Sequence, residues 1–188
     1  MPKLVPFPLL TPDDFRVKCE YMARRGWPER TLEAASSADM TKPAIVQLNE
    51  NWKFADKNVA VISGPVGVGK TIAAARWCMG VTNRIGFVRA QTFAASSRYD
   101  RELRERYYNA EGLCLDDLGS EYADKKESFL VDLDELIDTY YSDRRPLLIT
   151  TNITPDLFRK RYGERVWDRL HQCANWVKVQ GESLRRSL

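Results

Sequence analysis

The stretch Val59-Ala60-Val61-Ile62-Ser63-Gly64-Pro65-Val66-Gly67-Val68-Gly69-Lys70-Thr71 sets the reading of the whole chain. Its first five residues are an apolar run of strand length, and its last eight match G-x-x-x-x-G-K-[ST]. Residues 70–80 then suit a helix. Strand, glycine-rich turn and helix in that order are the context the pattern requires. Glycines let a backbone wrap around a phosphate with its N–H groups pointing inward, and the helix behind them turns its positive end to the anion. Lys70 would reach the β- and γ-phosphates, and Thr71 would hold Mg²⁺. The candidate nucleotide-binding residues are Gly64, Pro65, Val66, Gly67, Val68, Gly69, Lys70, Thr71 and Ile72.

The alternation continues downstream. Short apolar runs at 85–89, 113–115, 147–151 and 175–179 read as four more strands. Between them, residues 93–109 form a charged helical stretch, and Phe129, Leu130, Leu133, Leu136, Ile137 and Tyr140 recur at helical spacing. Thr154-Pro155-Asp156 caps a further helix, and Val166, Trp167, Leu170 and Cys173 mark one more. Five strands separated by helices predict an α/β fold, a parallel sheet covered on both faces. Upstream, residues 1–12 are proline-rich and extended. Thr11-Pro12-Asp13-Asp14 is a helix start, Gly26 a stop, residues 28–42 look irregular, and Pro43 opens a second helix. The expected division is an N-terminal arm with helices over 1–50 and a nucleotide-binding core over 51–188.

Two acids, Asp116 and Asp117, follow Leu113-Cys114-Leu115, at the strand end where open α/β sheets bind ligands. Asp116 would orient the Mg²⁺ shell, and Asp117 would position or deprotonate the attacking water. Asp116-Asp117-Leu118-Gly119 also fits the D-x-x-G of GTPases. That reading needs N-K-x-D after a later strand, and Asn152-Ile153-Thr154-Pro155 does not supply it, so adenine is the better assignment. Asn152 would stand just past the fourth strand, where an amide can reach a γ-phosphate or simply form a turn with Thr154. Arg165 and Arg169, four apart, share one helix face. On spacing alone they are a solvated face partnered by Glu164 and Asp168 as readily as functional groups.

The 188 residues, 44% hydrophobic and 29% charged, have a net charge of +3, which excludes a histone-like or disordered chain. No apolar run approaches the roughly 20 residues of a membrane span, and the N-terminus has no signal-peptide core. Cys19, Cys78, Cys114 and Cys173 are far apart and lack zinc spacing, pointing to a reducing, cytoplasmic setting. Arg98, Arg101, Arg104 and Arg106 lie beside Tyr99, Tyr107 and Tyr108, a pattern that suits phosphate tracking and base stacking. Asp100, Glu102 and Glu105 interleave, so a salt-bridged solvent helix is the competing reading. His171, the only histidine, reads as a surface or packing residue.

Taken in order, the residues at 64–71, Leu-Asp-Asp-Leu-Gly at 115–119, Arg-Pro-Leu-Leu-Ile-Thr-Thr-Asn at 145–152, Tyr-Gly-Glu-Arg-Val-Trp-Asp-Arg-Leu at 162–170 and Gly-Glu-Ser-Leu-Arg at 181–185 resemble the DnaC/IstB-like group of AAA+ ATPases. That resemblance implies a three-layer P-loop fold with sheet order 5-1-4-3-2 and no C-terminal helical lid. It makes Lys70 and Thr71 Walker A residues, Asp116 and Asp117 Walker B residues, Asn152 sensor 1 and Arg169 the arginine finger. Arg185 aligns with an arginine near the end of the family pattern and joins the nucleotide-binding set. The implied ligands are ATP and Mg²⁺. The implied partners are further copies of the chain in a head-to-tail oligomer, single- or double-stranded DNA, and a replicative helicase to be loaded or regulated. The alternatives are a transposition helper ATPase acting with a transposase, or a slowly hydrolysing adaptor, a reading favoured by aspartate at 117 where most AAA+ proteins carry glutamate.

Overall fold

The structure is a computed structural model that describes residues 11–52, 56–81, 84–96, 100–121 and 126–184; residues 1–10 of the extended stretch expected over 1–12 and Arg185 lie outside them, as do the side chains of Pro12, Arg101 and Lys126. Five strands, β1 (Val59–Ser63), β2 (Ile85–Arg89), β3 (Gly112–Leu118), β4 (Leu147–Thr151) and β5 (Ala174–Lys178), form one sheet in the order β2-β3-β4-β1-β5. Every neighbouring pair is parallel. This is the expected order 5-1-4-3-2 read from the other edge.

The strand sequences explain the layering. Successive side chains of a strand point to opposite faces. Ala60 and Ile62 accordingly join one apolar cluster and Val59 and Val61 the other. The first cluster is covered by α1 (Pro12–Ala23), α2 (Glu29–Ser36), α3 (Pro43–Asn51) and α4 (Lys70–Val81). The second is covered by α5 (Ala90–Ser96), α6 (Arg101–Tyr108), α7 (Lys126–Ser142) and α8 (Pro155–Cys173). Trp52 stacks on Trp77 with ring centroids 4.1 Å apart, joining the end of α3 to α4. Full burial of an aromatic of this kind stabilises by roughly 1.5–3 kcal/mol.

Thr11 caps α1 in a reciprocal capping box with Asp14, as its sequence predicts. Two elements differ from expectation. Residues 29–36, read as irregular, form α2; Pro28 precedes it with no side-chain cap, and only Leu32 and Ala35 are buried, so the sequence offers little periodicity. The single helical stretch over 93–109 is two helices, the second restarted by Asp100, whose carboxylate accepts from Leu103 N–H. The two helices expected after β4 are both present; they abut at Gly163, whose dihedrals of φ 83° and ψ 169° are non-helical, and are labelled together as α8.

Edge strand β2 is covered by the turn between α1 and α2. Phe87 N–H donates to the Arg25 carbonyl at 3.0 Å, and Trp27 Nε1 donates to the Ile85 carbonyl at 2.8 Å. Covering an edge in this way removes a template for pairing with another chain. No helix among the described residues is long and apolar enough to cross a membrane.

Candidate nucleotide-binding site

Strands β1, β4 and β3 are consecutive in the sheet, so the residues that follow their carboxyl ends are neighbours in space. The loop 64–69 follows β1 and runs directly into α4. Gly67 (φ 85°) and Gly69 (φ 93°) take the left-handed conformation that allows a loop to turn its amides inward. Lys70 Nζ is buried beneath this loop. It donates to the carbonyls of Gly64 (2.8 Å) and Pro65 (2.7 Å) and to Asn152 Oδ1 (2.6 Å).

Asn152, just past β4, donates from Nδ2 to Asp117 Oδ1 at 2.6 Å. Lysine, amide and carboxylate thus form one hydrogen-bonded row across three strand ends. The cap reading of Thr154 holds as well, since its hydroxyl accepts from Leu157 N–H.

The paired acids reach the same edge through a backbone irregularity. Leu115 pairs with Ile149 and Leu118 with Thr151, so β3 takes three steps while β4 takes two. The extra residue makes a bulge over Asp116–Asp117, and Asp117 adopts φ 59°. Aspartate tolerates this left-handed backbone better than most residues. Without the bulge, two adjacent acids would point to opposite faces of the sheet. Thr150, which sequence reasoning did not single out, locks the arrangement. Its hydroxyl donates to Asp116 Oδ1 at 2.7 Å and accepts from Asp117 N–H at 2.9 Å. Thr71 Oγ1 donates to the same Asp116 oxygen at 2.8 Å. Burial raises the Asp116 carboxyl above its ordinary range; the hydroxyls of Thr150 and Thr71 oppose that shift, Asp117 adds to it, and Arg89 opposes it.

This donor set fits nucleotide and magnesium. Mg²⁺ prefers hard oxygens and keeps much of its hydration, taking one or two protein ligands beside phosphate. Thr71 and Asp116 supply an adjacent hydroxyl and carboxylate, and no cluster of three His, Cys, Asp or Glu side chains competes for a metal among the described residues.

A second wall of the loop comes from the residues after β5, the segment that leads to Arg185. Leu184 N–H donates to the Gly67 carbonyl at 2.8 Å. A Cβ on Gly67 would lie 2.2 Å from Ser183 Oγ, and one on Gly69 would lie 3.1 Å from Leu184 Cδ1. Gln180 N–H donates to Gln47 Oε1 on α3 at 3.1 Å. The segment therefore runs between α3 and the phosphate loop.

Arg165 and Arg169 are held by α7. Asp134, buried, accepts from Arg165 Nη2 at 2.7 Å and from Arg169 Nε at 2.9 Å, while Arg169 Nη1 also bonds Asp138. The arginine–tyrosine stretch is less open than its composition implies. Tyr107 is buried in the core and unavailable for stacking, and Tyr108 donates to the Asp132 carbonyl. Arg104 pairs with Asp132 and Glu135, and Arg106 bonds the Arg24 carbonyl. Arg98 and Tyr99 lie outside the described residues. His171 is exposed and packs against Trp167 at 5.8 Å between ring centroids. All four cysteines are free.

The sheet order, the glycine loop after β1 and the acids after β3 give the chain an α/β P-loop fold like that of the DnaC and DnaA structures. The chain is 28% identical over 144 residues to the replicative helicase loader DnaC of Escherichia coli (strain K12), a match covering 69% of this chain and 58% of that protein's length. Its fold is similar to the crystal structure of a DnaC helicase loader, with a TM-score of 0.61 and 18% identity over 81% of this chain and all of that one (100%). It is also similar to AMPPCP-bound DnaA from Aquifex aeolicus, with a TM-score of 0.58 and 20% identity over 73% of this chain and 45% of that one. No family model matches the chain.

Proposed function

We propose that the chain binds ATP·Mg²⁺ at the loop 64–71, hydrolyses it slowly, and uses the cycle to load or regulate a replicative helicase on DNA. The observation that carries this reading is the row Lys70–Asn152–Asp117 at the ends of β1, β4 and β3. Lys70 meets the β- and γ-phosphates, and Asn152 holds the Asp117 carboxylate toward the position of the attacking water. Asp117 orients that water or takes its proton. Mg²⁺, when bound, would supply a positive charge that offsets the charge of the phosphates. Thr71 and Asp116 would hold the metal, and Thr150 keeps Asp116 in register. Arg185 would add a cation to the phosphates.

In this reading Arg169 of one subunit completes the site of the next in a head-to-tail oligomer, where such arginines contribute about 10³–10⁵ in rate. The similarity to DnaC supports a helicase as the partner, and the setting is the cytoplasm. Aspartate rather than glutamate at 117 supports slow turnover. The reading is tested by ATP turnover per subunit against protein concentration, with and without single-stranded DNA. Turnover that rises with concentration, and again with DNA, is the expected outcome. Phosphoryl transfer to a metabolite instead of water would replace it with a small-molecule kinase.

A further inference from the structure

Glu121 lies two residues beyond Gly119 and is buried, yet it belongs to neither the phosphate loop nor the paired acids. Both of its carboxylate oxygens are committed. Oε2 accepts from Gly119 N–H at 2.8 Å, on the turn that carries Asp117. Oε1 accepts from Tyr162 Oη (2.7 Å) and from Arg161 Nε (3.1 Å) and Nη2 (2.9 Å), all on α8. Its backbone carbonyl accepts from Arg161 Nη2 as well, at 2.7 Å. A buried carboxylate with this many partners ties its two sides together rigidly, because leaving any partner unmade in the interior is costly.

What it ties is specific. On one side, Ser120 N–H and Oγ bond the Asp117 carbonyl at 3.1 and 2.7 Å, so the turn from Asp117 to Glu121 is one closed unit. On the other side, Tyr162 immediately precedes Gly163, where α8 breaks. The half of α8 before the break is clasped by Glu121. The half after it carries Arg165 and Arg169 and is held by Asp134 on α7. A Cβ at Gly163 would meet nothing within 4 Å, so glycine is needed there for its backbone and not for space.

We propose that Glu121 is a positioning residue that couples the turn carrying Asp117 to α8, so that the nucleotide site of a subunit aims the arginine-bearing half of its own α8. The inference rests on the proposed nucleotide site and deepens it. A shift of Asp117 on nucleotide binding moves Gly119, and the Glu121 carboxylate carries that shift to Arg161 and Tyr162. The break at Gly163 converts it into a change of angle between the two halves.

Trp167 reports that angle, since it lies after the break and packs on Phe158 before it, with centroids 6.4 Å apart. The protein is labelled with 5-fluorotryptophan, Trp167 is assigned with Trp167→Phe, and ¹⁹F spectra are recorded with and without AMPPCP·Mg²⁺ while calorimetry measures affinity. In the wild type the Trp167 resonance is expected to move on binding. In Glu121→Gln, whose amide cannot accept from Gly119 and from α8 together, affinity is expected to stay within about threefold while that movement falls by more than half. Tyr162→Phe, which removes only a hydroxyl, should give an intermediate loss and serves if the first variant does not fold. A Trp167 response equal to wild type in both variants, or none in a wild type that binds nucleotide, overturns the coupling. A wild type that binds no nucleotide overturns the proposed function itself, and the coupling with it.

Discussion

Lys70 Nζ sits 2.6 Å from Asn152 Oδ1, so the cation after β1 and the amide after β4 form one hydrogen-bonded unit. The two substitutions should nevertheless separate. Lys70→Ala removes a buried cation from beneath the phosphate loop and is expected to weaken ATP binding about 100-fold or more, measured with a fluorescent ATP analogue. Asn152→Ala leaves the cation and frees Asp117. Affinity should stay within a few-fold while turnover falls about 10²-fold, the usual cost of removing one aimed polar group. Equal losses of affinity in both variants would contradict the division of roles.

Asp116 offers a stability test with a defined sign. Its carboxyl is raised by burial, so the folded protein binds that proton more tightly than the unfolded chain does. Stability is therefore lost as pH rises from the unfolded value through the raised one, and the cost is fully present only above both. Asp116→Asn keeps an oxygen for the hydroxyls of Thr71 and Thr150 without the charge. Without added ligand it is expected to melt about 2–5 °C above wild type at pH 8, with the difference shrinking toward pH 4. The extra stabilisation that Mg²⁺ confers on the nucleotide-bound wild type should disappear. Thermal melts across pH, with and without ATP·Mg²⁺, read both effects.

Arg169 can be examined by mixing. Arg169→Ala keeps an intact phosphate loop, and Lys70→Ala keeps an intact arginine. If the arginine acts on a neighbour, each variant alone should be nearly inactive, while the mixture recovers activity at interfaces where the first accepts an arginine from the second. No recovery at any ratio would return Arg169 to a purely structural role with Asp134 and Asp138. In the isolated subunit its loss should cost only about 1 kcal/mol, since Arg165 still neutralises Asp134.

Two glycines separate clash from strain. Gly67→Ala meets both a left-handed backbone and Ser183, and should lower nucleotide affinity about 10-fold or more; adding Ser183→Gly should restore part of it. Gly163→Ala meets only the backbone requirement, so it should reduce unfolding free energy by about 1–3 kcal/mol in urea titrations. No companion substitution near Gly163 should rescue it.

What the sequence made legible follows from where its signals are local. The Gly64–Thr71 loop carries its own chemistry and its own flanks, so β1, α4, Lys70 and Thr71 are readable without any partner. Strand order came through the resemblance, not through periodicity. The bulge that brings Asp116 and Asp117 to one edge depends on pairing with β4, where Leu115 meets Ile149 and Leu118 meets Thr151, and has no local signature. Glu121 is hidden for the same reason: an acid after a turn reads as solvent-facing until α8 folds over it. Helix α2 was missed because Leu32 alone cannot establish a period, and Tyr107 was misread because an aromatic among arginines looks exposed.

The contact between Leu184 and Gly67 has a practical side. A dye attached at position 184 sits one hydrogen bond from the loop that would grip phosphate. A dye at that point is a proximity reporter of nucleotide occupancy, with no need for a second label. A bulky group there is expected to weaken nucleotide binding. Affinities measured on protein labelled at that position should therefore be compared with those of protein carrying its label elsewhere.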